Sequence, residues 1–506
     1  MSKVLPTRAS LRQLQVQAKE LAAELKSGDA RAIARFAQAT GRTRPSTAKV
    51  HDAQWAIARE YGFENWAALK AEAQARERKA IEPLREKLRQ AVESGDTPAL
   101  RALVTEHPAL KSELKGPLFS FGAPAVMRAI QKKDLPMVDA LIAVGADLNQ
   151  RSHWEPGGFG ALDHADDELA AQLIARGAKV DIHAAAHLGD VRRVREILAA
   201  KPEQVNARGG DGGTPLHFAR NLETASLLLE RGAGVQIRDL DHGSTAAMWQ
   251  VRNREVLYRL IEAGSPIDIY MACVHGDREL AERALREDPD CLGSFISHQR
   301  GHGKFAPDSG GNYYNWQIGH AARPIPTAVK FGHRELSRFL LERAKPADRL
   351  VALCFLDDRE ALNRLLQEHP ALTSSLDAAG ARALPDAIHF GDFPAAKRMI
   401  EVGFPVTGHG VEGGTPLHVA SWMGNVDLVA ALIRKGAPVD DRNNVYQGTP
   451  LEWACHGSLN RAPGPDTDFA ATATTLIDSG GSVPEVENGR ASTAILEVLR
   501  KGKQSS

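Results

Sequence analysis

A tetrapeptide that recurs along the chain constrains the fold more than any other feature of the sequence. TPLH occupies residues 214–217 and 415–418, and TPLE occupies residues 449–452. The second copy opens the stretch TPLHVASWMGNVDLVAALIRKGAPVD, which predicts a helix, a glycine turn and a second helix. Proline at the first helical position loses no hydrogen bond, and glycine ends a helix where a positive φ is needed. A unit of this size cannot bury its apolar face alone, so the pattern predicts stacked repeats.

The units can be followed along most of the 506 residues by the Gly, Pro or Ala that ends each second helix. Twelve such positions occur at steps of 25 to 37 residues, except for two longer steps. A step of 44 residues separates Gly436 from Gly480, and one of 55 residues separates Pro289 from Ala344. The longer step contains a glycine-rich and aromatic segment at 294–320, which we interpret as an insertion between two repeats.

The repeated pattern resembles the ankyrin repeat. The resemblance implies an all-α ankyrin-repeat solenoid of about 12 helix–turn–helix units, several of them degenerate or shortened. The units that end at Gly177 and Gly232 are expected to have shortened first helices. We expect the solenoid to span residues 80–482 and a C-terminal capping helix with a tail to span residues 483–506.

The N-terminal part differs in charge from the rest. Residues 1–80 hold 15 Lys and Arg against 8 Asp and Glu, or +7, so the other 426 residues carry −7. Apolar residues at helical spacing in 11–25, and a helix–turn–helix pattern in 52–72, predict a basic helical cap domain over residues 1–79. Such a segment resembles the N-terminal extension of bacterial ankyrin-repeat proteins.

The sequence of this cap supports two interpretations. The favoured one is a small core that caps the solenoid, built from Trp55, Tyr61, Phe63 and Trp66. The alternative is a DNA-binding helix–turn–helix that presents Lys70, Arg76, Arg78 and Lys79. Because no base-reading set of side chains accompanies the motif, nucleic-acid binding is the less favoured interpretation.

Composition indicates a cytoplasmic protein. No window approaches the roughly 18 continuous apolar residues of a membrane span, and the N-terminus has no apolar signal region. The four cysteines lie far apart without CxxC spacing, which favours buried, reduced thiols over disulfides or a zinc knuckle.

Histidines suggest structural roles more than metal binding. His183, His217 and His418 hold the TPLH histidine position, which in ankyrin repeats bridges neighbouring turns by hydrogen bonds. Four residues near the insertion are weak candidates for a zinc site: His298, His302, Asp308 and His320. Since glycines between them leave the geometry undetermined, we expect no metal and no cofactor.

Catalytic activity is the less favoured hypothesis for this chain, and the sequence leaves it open. The insertion contains DSGG, which is similar to the sequence around the nucleophile of trypsin-like proteases. That triad is built on β-barrels, and a motif does not carry its geometry onto a helical solenoid.

We predict a binding surface on the concave face of the solenoid, where the residues that successive repeats place on this face become apolar. In the ankyrin family, the two residues that precede the glycine turn face the concave surface. The candidates at these positions are Lys330, Phe331, Phe355, His389, Phe390, Trp422, Met423 and His456. A contiguous apolar row of this kind is typical of a binding surface.

Aromatic residues elsewhere extend the candidate set. The insertion contributes Phe305, Tyr313, Tyr314 and Trp316, and a finger loop contributes Trp154. The insertion is interpreted as a lid over the groove, a contact loop or structural packing, and the sequence leaves all three open.

We therefore predict a non-enzymatic scaffold that recognises a protein or peptide on its concave face. One alternative is a protein that binds a small apolar molecule, or an atypical hydrolase, with a pocket between the insertion and the concave face. Another is nucleic-acid binding through the basic N-terminal helices.

Overall fold

The structure is a computed structural model. It describes residues 3, 5, 11–43, 49–296, 312–462, 464–485 and 489–505. Within these residues the chain is helical, and its extended pairing is limited to an isolated bridge between Arg238 and Thr245. The chain forms two compact units, one of residues 1–154 with 168–178 and one of residues 155–167 with 179–506.

The first unit begins with four helices that enclose a small core. Its helices are α1 (Leu11–Ser27), α2 (Ala30–Thr40), α3 (Val50–Glu60), α4 (Trp66–Ser94), α5 (Thr97–Glu106), α6 (Leu110–Glu113), α7 (Ala125–Gln131), α8 (Leu135–Ala143) and, except for its first residue, α9 (Asp167–Ala175). The four aromatic residues predicted to form a core pack against buried residues of α1 to α4. That this core caps the solenoid stays a prediction. Helix α4 continues through residue 80, so the expected boundary between cap and solenoid falls inside one helix.

The second unit continues the alternation of short helices. It contains α10 (Ile182–Leu188), α11 (Val191–Ala200), α12 (Leu222–Glu230), α13 (Ala246–Trp249), α14 (Arg254–Glu262), α15 (Ile269–His275), α16 (Arg278–Glu287), α17 (Tyr314–Gln317), α18 (Pro324–Lys330), α19 (Arg334–Leu341), α20 (Pro346–Leu356), α21 (Arg359–Glu368), α22 (Ala378–Ala381), α23 (Ala383–His389), α24 (Phe393–Glu401), α25 (Pro416–Met423), α26 (Val426–Arg434), α27 (Pro450–Asn460), α28 (Phe469–Asp478) and α29 (Thr493–Ser505). Ile495 and Leu499 of α29 are buried among the last repeats.

Helix ends follow the sequence closely. Most second helices begin after an Asp or Asn whose carboxylate or amide oxygen accepts a backbone N–H of the first turn; Asp190 accepts from Arg193 at 3.0 Å, for example. Gly424 ends α25 with a φ of 68°. Such caps satisfy backbone groups that a helix leaves without an internal partner.

Two first helices are replaced by turns. Residues 161–164 and 215–218 adopt turns where other repeats have a helix. This confirms the expected shortening of the units that end at Gly177 and Gly232.

The TPLH histidines bridge neighbouring loops, as predicted. His217 Nδ1 accepts the backbone N–H of Thr214 at 3.0 Å, and its Nε2 donates to the carbonyl of Ser244 at 3.1 Å. His418 makes the same pair of contacts with Thr415 and Asp441. Burial lowers the pKa of His217 to about 4, so the ring is neutral near pH 7, as an accepting Nδ1 requires.

The four cysteines are all buried and form no disulfide, in keeping with their spacing. No helix in the described part of the chain is long and apolar enough to cross a membrane.

Candidate functional site

Five rings contact one another in sequence along the second unit. Trp316 meets His320 edge-on at 6.1 Å between ring centroids, and His320 stacks on Phe390 at 5.1 Å. Phe390 meets His389 edge-on at 4.6 Å, and His389 stacks on Trp422 at 5.2 Å with 7° between the planes. We call these five residues the aromatic row. It joins the end of the insertion to two later repeats.

The repeat pattern explains why three of the five rings meet. His389 ends α23 and Phe390 follows it, while Trp422 is the second-to-last residue of α25. Both pairs occupy the position before the glycine turn that the sequence assigned to the concave face. Since each repeat contributes the same position, the rings of successive repeats come within stacking distance.

Part of the row is exposed to solvent. Trp316 is 65% exposed and Phe390 is 38% exposed, whereas the other three rings are half-buried. Exposed aromatic side chains that belong to one connected apolar surface are typical of binding sites.

Positive charges lie along the same surface. The Arg461 guanidinium lies 4.4 Å from the ring centre of Trp422, and that of Arg252 lies 5.9 Å from Phe331. Lys330 Nζ donates to the carbonyl of Ile318 at 2.6 Å. Burial lowers the pKa of Arg461, and among the described residues no carboxylate pairs with it. The aromatic row is therefore bordered by positively charged side chains that can form ion pairs with a carboxylate of a ligand.

A cavity of about 780 Å³ opens beside the row. Its wall is formed by Arg252, Asn315, Trp316, Gln317, Ile318, Gly319, Lys330, Phe331 and Gly332. The wall thus combines the end of the insertion with two of the predicted concave residues, and it contains no carboxylate.

A second cavity, of about 890 Å³, was not predicted. Its wall includes Asp163, His187, His217, Arg220, Trp249, Arg254, Glu255 and Tyr313. Acidic and basic side chains are mixed in its wall, so this cavity selects less by ligand charge than the aromatic row does. The sequence prediction follows only the apolar part of the concave row, whereas much of the wall of this cavity is polar.

The end of the insertion packs into the unit. Tyr313 stacks on Trp249 at 3.9 Å with 3° between the rings. Tyr314 is fully buried, and its hydroxyl donates to Asp268 at 2.7 Å. This corrects the assignment of Tyr314 to a binding surface, because its apolar ring fills the core beneath α15. Phe305 lies outside the described residues.

The remaining candidates are distributed more widely. Met423 is buried, which corrects its assignment: of the pair that ends α25, one side chain enters the core. Phe355 is half-buried against the core, and His456 is exposed near Asn460. Trp154 belongs to the first unit, where it meets Phe121 edge-on at 5.0 Å.

Of the four weak zinc candidates, His320 lies within the described residues and belongs to the aromatic row. His298, His302 and Asp308 lie outside the described residues.

Several members of the surface were missed by the sequence reasoning. His320 was considered only as a metal ligand, and Arg252 and Arg461 were not considered. All three lie outside the concave positions of the repeat, so periodicity alone could not find them.

Comparison with known proteins identifies the repeats. The family model of the ankyrin repeat matches residues 211–240 and 412–444. The chain therefore contains ankyrin repeats at these two places, and the predicted all-α, helical-repeat fold class is confirmed. Ankyrin repeats serve in general as scaffolds for protein interaction.

Relatives match over short stretches of the chain. The mouse ankyrin repeat and SAM domain-containing protein 6 is 33% identical over 115 residues, which are 22% of this chain and 13% of that protein. The zebrafish palmitoyltransferase ZDHHC17 is 38% identical over 68 residues, which are 13% of this chain and 11% of that protein. The match thus spans about an eighth of the length of these relatives. Both are eukaryotic, and the resemblance of the N-terminal helices to bacterial proteins stays a prediction.

Among solved structures, the human ASB11 ankyrin repeat domain aligns with 61% of this chain and 100% of its own, at 17% identity. The TM-score is 0.23, which carries no structural argument.

Proposed function

We propose that this protein is a non-catalytic scaffold that binds an extended segment of another protein along the aromatic row. The observation that carries the proposal is the connected series of five rings, of which Trp316 and Phe390 are exposed. Aromatic anchors of this kind dominate the energetics of protein interfaces.

The charges beside the row define the partner's chemistry. Arg461 lies at one end, and Arg252 and Lys330 lie beside the cavity at the other. A segment that carries Asp or Glu near apolar or aromatic side chains would pair with these cations and cover the rings. Complementary charges of this kind improve specificity and the rate of association.

Selection from a library of random displayed peptides tests the proposal. We expect the full-length chain to enrich sequences that combine acidic with aromatic or apolar residues. Arg461→Glu should weaken binding of an enriched peptide about tenfold, because a charge that attracted a carboxylate now repels it. Isothermal titration calorimetry measures the change.

Charge reversal at Arg338, an exposed residue of α19, provides the matched control. Arg338→Glu should leave the affinity unchanged. Enrichment of basic peptides, or equal loss in the two variants, would contradict the proposed partner chemistry.

The cavity favours a second candidate function, the binding of a small apolar molecule that carries a carboxylate. Its wall offers Trp316 and Phe331 for packing and Lys330 for the charge. If no peptide is enriched, while such compounds raise the melting temperature of the chain but not of Lys330→Ala, this candidate replaces the first.

A further inference from the structure

Two neighbouring loops of the second unit bring three metal-binding side chains together. The turn at Gly210–Gly212 presents Asp211, and the loop that follows the next repeat presents Asp241 and His242. The backbone N–H groups of residues 240 and 241 both donate to the carbonyl of Asp211, at 3.0 and 3.1 Å. These two hydrogen bonds hold one loop against the other and so keep the three residues close together.

The donor atoms lie close enough to share one ion. One oxygen each from Asp211 and Asp241 and one ring nitrogen of His242 lie within 4.8 Å of one another. Among the described residues this is the one group of three or more His, Cys, Asp or Glu with that spacing. The two carboxylates are 14% and 16% exposed, which leaves the group accessible from solvent.

The buried imidazole supplies an independent observation. His242 is only 5% exposed, and its Nδ1 has no hydrogen-bond partner. The nearest carboxylate oxygens to Nδ1 belong to Asp239, at 3.6 Å, and Asp211, at 3.9 Å, and both distances exceed a hydrogen bond. A buried nitrogen without a partner is costly unless something binds it.

Asp239 holds the loop without needing an ion. Its buried carboxylate accepts the backbone N–H of His242, that of Ser244 at 3.2 Å and the indole N–H of Trp249 at 2.7 Å. Three donors therefore occupy Asp239, and it acts as a positioning residue for His242. Trp249 and Tyr313 meet the imidazole edge-on and restrict its rotation.

We propose that Asp211, Asp241 and His242 bind a divalent transition-metal ion, for which Zn²⁺ is the representative. One imidazole and two carboxylates form a ligand set that Zn²⁺ accepts, whereas Mg²⁺ and Ca²⁺ prefer oxygen ligands alone. Three protein ligands leave one tetrahedral position for water or for a group of a bound partner. The ion would join the two loops.

An ion pair without metal is the competing account of the same residues. Burial opposes protonation of His242, but the nearby carboxylates of Asp239, Asp211 and Asp241 raise its pKa overall. A protonated ring would then neutralise part of the cluster by itself. The two accounts differ in whether the protein retains metal.

Zinc binding by the full-length protein distinguishes them. Metal is removed from the protein with a chelator, and the protein is dialysed against free Zn²⁺ on the order of 1 µM. A site with a Kd of about 1 µM is half-saturated at this concentration. Bound zinc is measured by elemental analysis. We expect about one ion per chain at saturation, and at least a tenfold weaker affinity in Asp211→Asn, Asp241→Asn and His242→Gln.

Glu412→Gln is the matched control. Glu412 occupies the same turn in a later repeat, with a φ of 55° against 53° for Asp211, and its carbonyl likewise accepts an N–H from the next loop. This variant should bind zinc like the unchanged chain. Asn suits the positive φ of Asp211, so Asp211→Asn should fold, and circular dichroism checks each variant.

Each result decides the proposal. Loss of zinc in the three site variants with retention in Glu412→Gln supports it. No zinc in the unchanged chain, or equal zinc in the site variants, overturns it in favour of the ion pair. If His242→Gln fails to fold, the two Asp→Asn variants decide.

Discussion

Replacing Phe390 and Trp422 together by alanine is expected to weaken binding of an enriched peptide at least about 100-fold. The two rings are joined through His389, with Phe390 at the centre of the aromatic row and Trp422 at its end. Truncating one central aromatic anchor commonly costs about 2 kcal/mol or more, and about 2.7 kcal/mol corresponds to a 100-fold change. Isothermal titration calorimetry measures the loss.

The control is an exposed aromatic residue outside the row. Tyr446 is 62% exposed on a loop of a later repeat, and Tyr446→Ala should leave the affinity within about twofold of the unchanged chain, as expected for a residue outside an interface. Circular dichroism should show the helical content of both variants preserved. Retained affinity in the double variant, or an equal loss in Tyr446→Ala, would place the binding surface elsewhere.

Tyr314→Ala should destabilise the second unit by about 3–5 kcal/mol, because it removes a fully buried aromatic ring from a packed core. Tyr314→Phe keeps the ring and loses only the hydrogen bond to Asp268, so it should cost about 1 kcal/mol. Urea unfolding followed by circular dichroism measures both changes.

Trp316 offers a matched control for Tyr314, since it lies two residues further along the same short helix but is exposed. Trp316→Ala should change the free energy of unfolding by about 0.5 kcal/mol or less. If Tyr314→Ala is as stable as Trp316→Ala, the end of the insertion is not part of the core.

These contrasts separate two roles within one segment. Tyr314 anchors the end of the insertion, and Trp316 extends from that anchor into the aromatic row. Of the three interpretations left open by the sequence, packing describes residues 312–315, and a contact surface is proposed for Trp316. The lid interpretation applies to the whole insertion, 294–320, of which residues 297–311 lie outside the described residues.

The repeat architecture was predictable because its determinants are local. TPLH, the helix-capping Asp and Asn residues and the helix-ending glycines act within one or two turns of the chain. The histidine bridges and the aromatic positions before the glycine turns follow from the same register. For this reason the sequence could assign the bridging role of His217 and the positions of Phe390 and Trp422 before their glycine turns.

Contacts between segments that are distant in the sequence could not be predicted from the repeat pattern. Arg461 reaches Trp422 from the end of α27, and His320 reaches Phe390 across 70 residues. The cluster at Asp211 and His242 depends on two loops whose facing arrangement the repeat pattern does not encode. The DLDH sequence beside a GDGG turn is the signal that, in retrospect, marks this cluster.

Amide hydrogen exchange with and without an enriched peptide locates the binding surface directly. We expect slower exchange in residues 314–320, 387–392 and 420–424 on binding, with residues 443–447 unchanged. Protection confined to other segments, with the row exchanging as in the free protein, would contradict the claim that the aromatic row is the binding surface.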